Sequence, residues 1–116
     1  MKRMKPILPT LREKKRYLAF EILSENKIND PKKVSEAIWE SSLDFLGTDG
    51  ASQAGIWVLP DKYKNQKGIL KVGHRYVEKL RTCLALIKTI GKKPVVVRTI
   101  GISGILKKTE KKFITG

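Results

Sequence analysis

Few residues in this chain have the means to break a bond. Ser103 lies in Gly101-Ile102-Ser103-Gly104-Ile105, at the end of the β-branched run VVVRTI. A nucleophile elbow needs G-x-S-x-G at a strand-to-helix turn, and here the second glycine comes one residue too early. A serine also needs a base, and no acidic residue is placed to orient the one histidine, His74. Ser103 therefore reads as a strand end where glycines permit a bulge or bend, and His74 as a capping or surface residue. One histidine and one cysteine, with no HExxH, CxxC, DxDxDG or GxxxxGK[ST] pattern, offer no metal or phosphate-loop chemistry. Glu36 and Glu40 form a solvated i,i+4 pair, while Asp44 and Asp49 flank a helix end, so no general acid–base couple is expected. The expected set of catalytic residues is empty, and no cofactor or metal is assigned to the chain.

Lysine and arginine are abundant instead. Across 116 residues, 25 basic and 11 acidic side chains give a net charge of +14. Residues 1–16 hold seven basic and one acidic (+6), residues 17–60 three and seven (−4), residues 61–97 ten and two (+8), and residues 98–116 five and one (+4). Such an excess implies a polyanionic partner, nucleic acid ahead of an anionic membrane surface. A lysine-rich thermophile surface would carry matching glutamates, which are missing here. The lone cysteine, Cys83, excludes an internal disulfide and reads as a small buried hydrophobe beside Leu80, Leu84 and Ile87. No apolar run reaches transmembrane length, and MKRMKPILPTLREKK lacks the apolar core of a secretory signal; a cytoplasmic location is expected.

The elements that must position these cations follow from spacing. Residues 1–15 read as a basic arm broken by Pro6 and Pro9, residues 16–108 as the folded domain and 109–116 as a basic tail. RYLAFEIL (16–23) alternates as a half-buried strand, with Leu18, Phe20 and Ile22 on one face and Tyr17, Ala19 and Glu21 on the other. Asp30-Pro31 opens a helix that buries Val34, Ile38 and Phe45 and stops at Gly47, before a link, TDGASQAG. Residues 56–73 read as a hairpin. Residues 74–90, with Val77, Leu80, Leu84 and Ile87 at helical spacing, predict a second helix closed by Gly91. A last strand runs from about 94 to 103.

The order is β-α-β-β-α-β: an α+β, ferredoxin-like or RRM-like sandwich with a four-stranded antiparallel sheet and both helices on one face. The other face is expected to be open, exposing Tyr17, Glu21, Lys71 and either Val97 or Arg98, which depends on register. Stacking of bases requires aromatics on the central strands, and KGILKVG has none. The expected contacts are thus phosphate-directed: Lys14, Lys15 and Arg16, the i,i+4 pair Arg75 and Lys79, and Lys107, Lys108 and Lys111. Tyr17, Trp57 and Tyr63 are candidates for a protein partner, and Trp39 is assigned to core packing.

Two stretches, LPTLREKKRYLAFEI (8–22) and GISGILKK (101–108), flank VSEAIWESSLDFLGTDGASQAGIWVL in an order and spacing that resemble ribonuclease P protein component 2, the archaeal branch of the small RNase P/MRP protein subunits. The resemblance spans residues 8–113. It implies an RRM-like, non-catalytic subunit of the endonuclease that removes the 5′ leader from precursor tRNA, the chemistry belonging to the RNA subunit and its magnesium. It also implies partners: the ribonuclease P RNA, protein component 3, the other protein components, pre-tRNA through the holoenzyme, and a second copy of the chain; no membrane is involved. Arg12, Lys14, Lys15, Arg16, Lys107 and Lys108 carry over as RNA contacts, whereas Arg75, Lys79 and Lys111 rest on charge alone. Ile105 stands where family members often have threonine. Two other classes remain: a protein-interaction module whose charge only steers assembly, and a stand-alone metal-dependent nuclease, which the missing ligand set disfavours.

Overall fold

The computed structural model describes residues 14–115. Strand β1 (Lys15–Leu23) sits at the centre of a four-stranded antiparallel sheet of order β2-β3-β1-β6, with β2 Trp57–Val58, β3 Lys67–Gly73 and β6 Val96–Ser103. Its alternation is realised as expected. Leu18, Phe20 and Ile22 join Leu70, Val72 and Val97 in one core cluster with Val34 and Ile38 of helix α1 (Pro31–Ala54) and Leu80, Cys83 and Leu84 of helix α2 (Val77–Ala85). Both helices thus bury their apolar stripes against the same sheet face. The molecule is α+β.

Asp30 caps α1, its carboxylate accepting the Lys32 N–H at 3.0 Å, with Pro31 in the first turn. The helix does not stop at Gly47. Gly47 adopts φ 77°, ψ 173°, conformational space that is nearly glycine-only, and the chain kinks and continues helically to a left-handed cap at Gly55. The supposed link TDGASQAG is therefore helical, and it buries Ala51 and Ala54. The kink resets the phase of the buried positions beyond it, Ala51 and Ala54. Phe45, expected in the core, is 48% exposed, and Trp39, also assigned to packing, is 40% exposed.

Helix α2 is also corrected. A 3-10 turn over His74–Tyr76 precedes it, and it ends at Ala85 rather than Ile90. Strands β4 (Thr89–Ile90) and β5 (Lys93–Pro94) form a small hairpin instead. Gly91 and Lys92, at φ 57° and 69°, make the two-residue connection, whose twist suits such a hairpin. Ile87 and Ile90 are buried nonetheless, which is why their spacing mimicked a helix.

The larger departure is on the second sheet face, expected to be open. Ala19 and Ile69 are fully buried there, and the end of the expected domain and the segment read as a tail are helical: α3 (Leu106–Thr109) runs into a wider helical turn over Glu110–Thr115. The ring of Phe113 lies directly on Gly101, whose register partner is Ala19, and a Cβ at Gly101 would overlap that ring. The Glu110 carboxylate meets Lys62 Nζ at 3.3 Å. Beside Gly101 the β1–β6 register shifts: Phe20 pairs with Thr99 and Ala19 with Gly101, leaving Ile100 as the extra residue of a bulge. The glycine thus serves close approach next to a bulge, one of the two conformations expected of this strand end.

Candidate nucleic-acid interface

The antiparallel register gathers the cations. Lys15 pairs with Gly73, so the start of β1 lies beside the end of β3 and the entry to α2. The Lys14 carbonyl accepts the His74 N–H at 2.9 Å, with the His74 ring Nδ1 3.3 Å away. Tyr17 pairs with Ser103, which brings the end of β6 to the same place, and the Arg16 guanidinium lies against Gly104. Lys14, Lys15, Arg16 and Arg75 therefore share one end of the sheet with the chain that leads into Lys107 and Lys108. Lys79 stands one turn further along α2, 5.5 Å above the Tyr76 ring. Lys111 lies on the turn after α3, exposed like Lys107 and Lys108. Arg12 falls outside the described residues.

None of these described cations is ion-paired; the pairs among the described residues are Lys62–Glu110, Arg81–Glu78 and Arg98–Glu21. Cations outnumber the carboxylates beside them, Glu78 and Glu110, so they repel one another, and a polyanion relieves that repulsion. Arg98 differs. Register places it opposite Glu21, which it grips with Nε at 2.9 Å and Nη2 at 2.7 Å, while Val97 is buried on the helix side.

The partner candidates scatter. Tyr17 is half-buried on the second sheet face, next to Lys71 and Ser103 in register. Trp57, 61% exposed, stands on the edge strand over a groove lined by Pro31, Lys32, Glu36 and Val58. Tyr63 is committed internally: its ring packs against the core beside Gly68, and its hydroxyl donates to the Ile28 carbonyl. Burial pushes that phenol up to about 12.

Ser103 Oγ accepts the Ile105 N–H at 3.1 Å, a local turn bond. Cys83 is fully buried, as expected, and its thiol is pushed up by desolvation. Among the described residues no three His, Cys, Asp or Glu side chains converge on a metal position, and no helix is long and apolar enough to cross a membrane. Two structural residues escaped the sequence reading. Phe113 is one aromatic in a lysine run, and Gln66 is one amide in a polar turn. Gln66 accepts the Ile28 N–H through Oε1 and donates through Nε2 to the Ile22 carbonyl at 2.9 Å, pinning the loop after β1. Nothing local distinguishes such an amide from a solvated one.

Comparison with known proteins agrees with this picture. The family model described as Rpp14/Pop5 matches residues 16–114. A ribonuclease P protein component 2 from Pyrococcus horikoshii is 38% identical over 114 residues, covering 98% of this chain and 94% of the relative. One from Thermococcus gammatolerans is 41% identical over 106 residues, covering 91% and 88%. Among solved structures, a chain in the cryo-EM structure of yeast ribonuclease MRP superimposes with a TM-score of 0.64, covering 89% of this chain and 87% of that one. At 9% identity that likeness speaks for the fold alone.

Proposed function

The chain belongs to the Rpp14/Pop5 family, and we propose that it is a protein subunit of ribonuclease P, assisting the catalytic RNA in removing the 5′ leader from precursor tRNA. The observation that carries this reading is the gathering of unpaired cations from β1, α2 and α3 at one end of the sheet. Cations held there lower the mutual repulsion of RNA phosphates, which lets a folded RNA form and hold magnesium at lower concentration. Magnesium supplies the hydrolytic chemistry in such an RNA-based enzyme. This reading gives its ligands to the RNA. A split β-α-β domain of the RRM-like type belongs to this reading, and the strand order β2-β3-β1-β6 supports it. Protein component 3, the other protein components and a second copy of the chain are the partners this role calls for, in the cytoplasm of an archaeon.

A second reading, a module that docks on protein with little direct RNA contact, draws on the exposed Trp57, Trp39 and Phe45. Reconstitution separates the two. Ser103→Ala should leave pre-tRNA cleavage by the assembled enzyme nearly intact, and the chain with magnesium but without the RNA subunit should cleave nothing. A full loss from Ser103→Ala in a folded protein, or cleavage by the chain alone, would overturn the non-catalytic assignment. Filter binding of the isolated chain to the RNA at two salt concentrations decides for or against direct contact.

A further inference from the structure

The cations of the proposed interface occupy one end of the sheet; the opposite end is charged as well. We propose that Lys27, Lys33 and Lys93, with Lys92 beside them, form a second phosphate-binding site, so that the protein bridges two separate stretches of RNA backbone. This rests on the RNA-binding reading above and goes beyond it in giving the molecule two poles.

Three elements build the site. Leu23, where β1 ends, pairs with Val96, where β6 begins, so the loop carrying Lys27, the first turns of α1 and the β4–β5 hairpin converge at that end. They line a cavity of about 230 Å³, with Lys27, Asn29 and Lys33 on one side and Gly91 and Lys93 on the other. Lys33 lies across the hairpin: its Cδ and Nζ come within 3.5 and 3.8 Å of where a Cβ on Gly91 would sit. Among the described residues, Asp30 is the acidic side chain lining the cavity, and one of its oxygens is engaged in capping α1. None of the four lysines is ion-paired.

The backbone under these lysines is held in place. Ile28, next to Lys27, is 4% exposed, with its N–H on Gln66 and its carbonyl on the Tyr63 hydroxyl. Lys92 keeps a left-handed conformation at φ 69°, where asparagine or glycine would be relaxed. Fixed, concave and positive, the site suits a phosphodiester rather than a carboxylate already supplied by the fold.

Separation makes it independent. The nine residues of β1, at a rise of roughly 3.3 Å each, put the two ends on the order of 25 Å apart. That is about three Debye lengths at physiological salt, so phosphates bound at one end do not screen the other.

The test uses the full chain with two RNA hairpins, one labelled with a fluorescence donor and the other with an acceptor. At low salt the natural protein should bring them together and give energy transfer. Lys27→Gln/Lys33→Gln/Lys93→Gln, checked for folding by circular dichroism, should still bind one hairpin but lose the transfer. Its log–log salt slope should be shallower by roughly 2 to 3, because three phosphates would no longer be neutralised. Lys14→Gln/Lys15→Gln/Arg16→Gln should abolish bridging from the other side. Unchanged transfer and slope in the first variant would overturn the second site while leaving RNA binding standing. Wild-type protein that binds neither hairpin would sink the RNA-binding reading itself. Polyglutamate that binds the natural chain but not the first variant, with RNA binding and transfer unaffected, would reassign this end to an acidic protein and overturn the proposal.

Discussion

At the scale of single residues, Gly101 and Phe113 are a matched pair. The glycine leaves a bare patch of backbone on β6, and the ring fills it, next to Gly101's buried register partner Ala19. Gly101→Ala should therefore cost about 1–3 kcal/mol, since the methyl group must displace a packed ring. In a Phe113→Ala background the same change should cost far less, because the clash is gone. Urea unfolding of the four proteins in the cycle measures the coupling; additive losses would mean that the ring does not rest on Gly101. Ser103, by contrast, ends in a turn bond to Ile105. The pattern that first suggested a nucleophile is explained by geometry two residues upstream.

Between elements, the loop after β1 is tied to the β2–β3 connection as well as to itself through Ser24 and Asn26. Gln66 and Tyr63 together take both polar groups of Ile28. Burial raises the Tyr63 phenol to about 12, above its ordinary value of 10. A raised phenol stabilises the fold fully below pH 10, and that stability is lost as pH rises from 10 toward about 12, where the unfolded chain ionises before the folded one. The expected outcome is a stability decline in that window, followed by urea unfolding, which Tyr63→Phe removes while itself costing about 1 kcal/mol at neutral pH for the lost hydrogen bond. A variant with the same alkaline decline would assign it to other groups. The four sheet strands and two long helices were legible in the sequence; element ends, the β4–β5 hairpin and α3 were not. Asp30-Pro31 marked the start of α1 correctly because capping is local. Gly47 and Gly91 were both read as helix stops, yet one is a kink and the other a hairpin turn. Glycine marks a change of backbone direction without specifying the element beyond it, and Ala51 and Ala54 are too small to register as a core face.

Across the whole molecule, charge is segregated. Two basic ends are separated by α1, whose Glu36, Glu40 and Asp44 recur at four-residue spacing along its exposed surface. On the proposed reading an RNA ligand would be drawn to the ends and repelled from that flank, which would leave the flank and its exposed aromatics to a protein partner. If six to eight cations touch phosphates, RNA affinity should fall by about 10³-fold or more between roughly 50 and 200 mM salt. Lys107→Gln/Lys108→Gln should shallow the log–log slope by about 1.5 to 2 and weaken reconstituted cleavage. An unaltered slope would place these two lysines away from RNA.

By itself the sequence determined the alternating strand, the start of α1, the α+β class and the positive charge that calls for a polyanion. Each of these is periodic or additive along the chain, so it survives without coordinates. Only the tertiary structure decided that Phe113 closes the second sheet face over Gly101, that Arg98 is engaged by Glu21, and that Lys27, Lys33 and Lys93 meet at one pole. These are encounters between residues far apart along the chain, set by strand register and crossover, and no local pattern encodes which distant side chain will arrive.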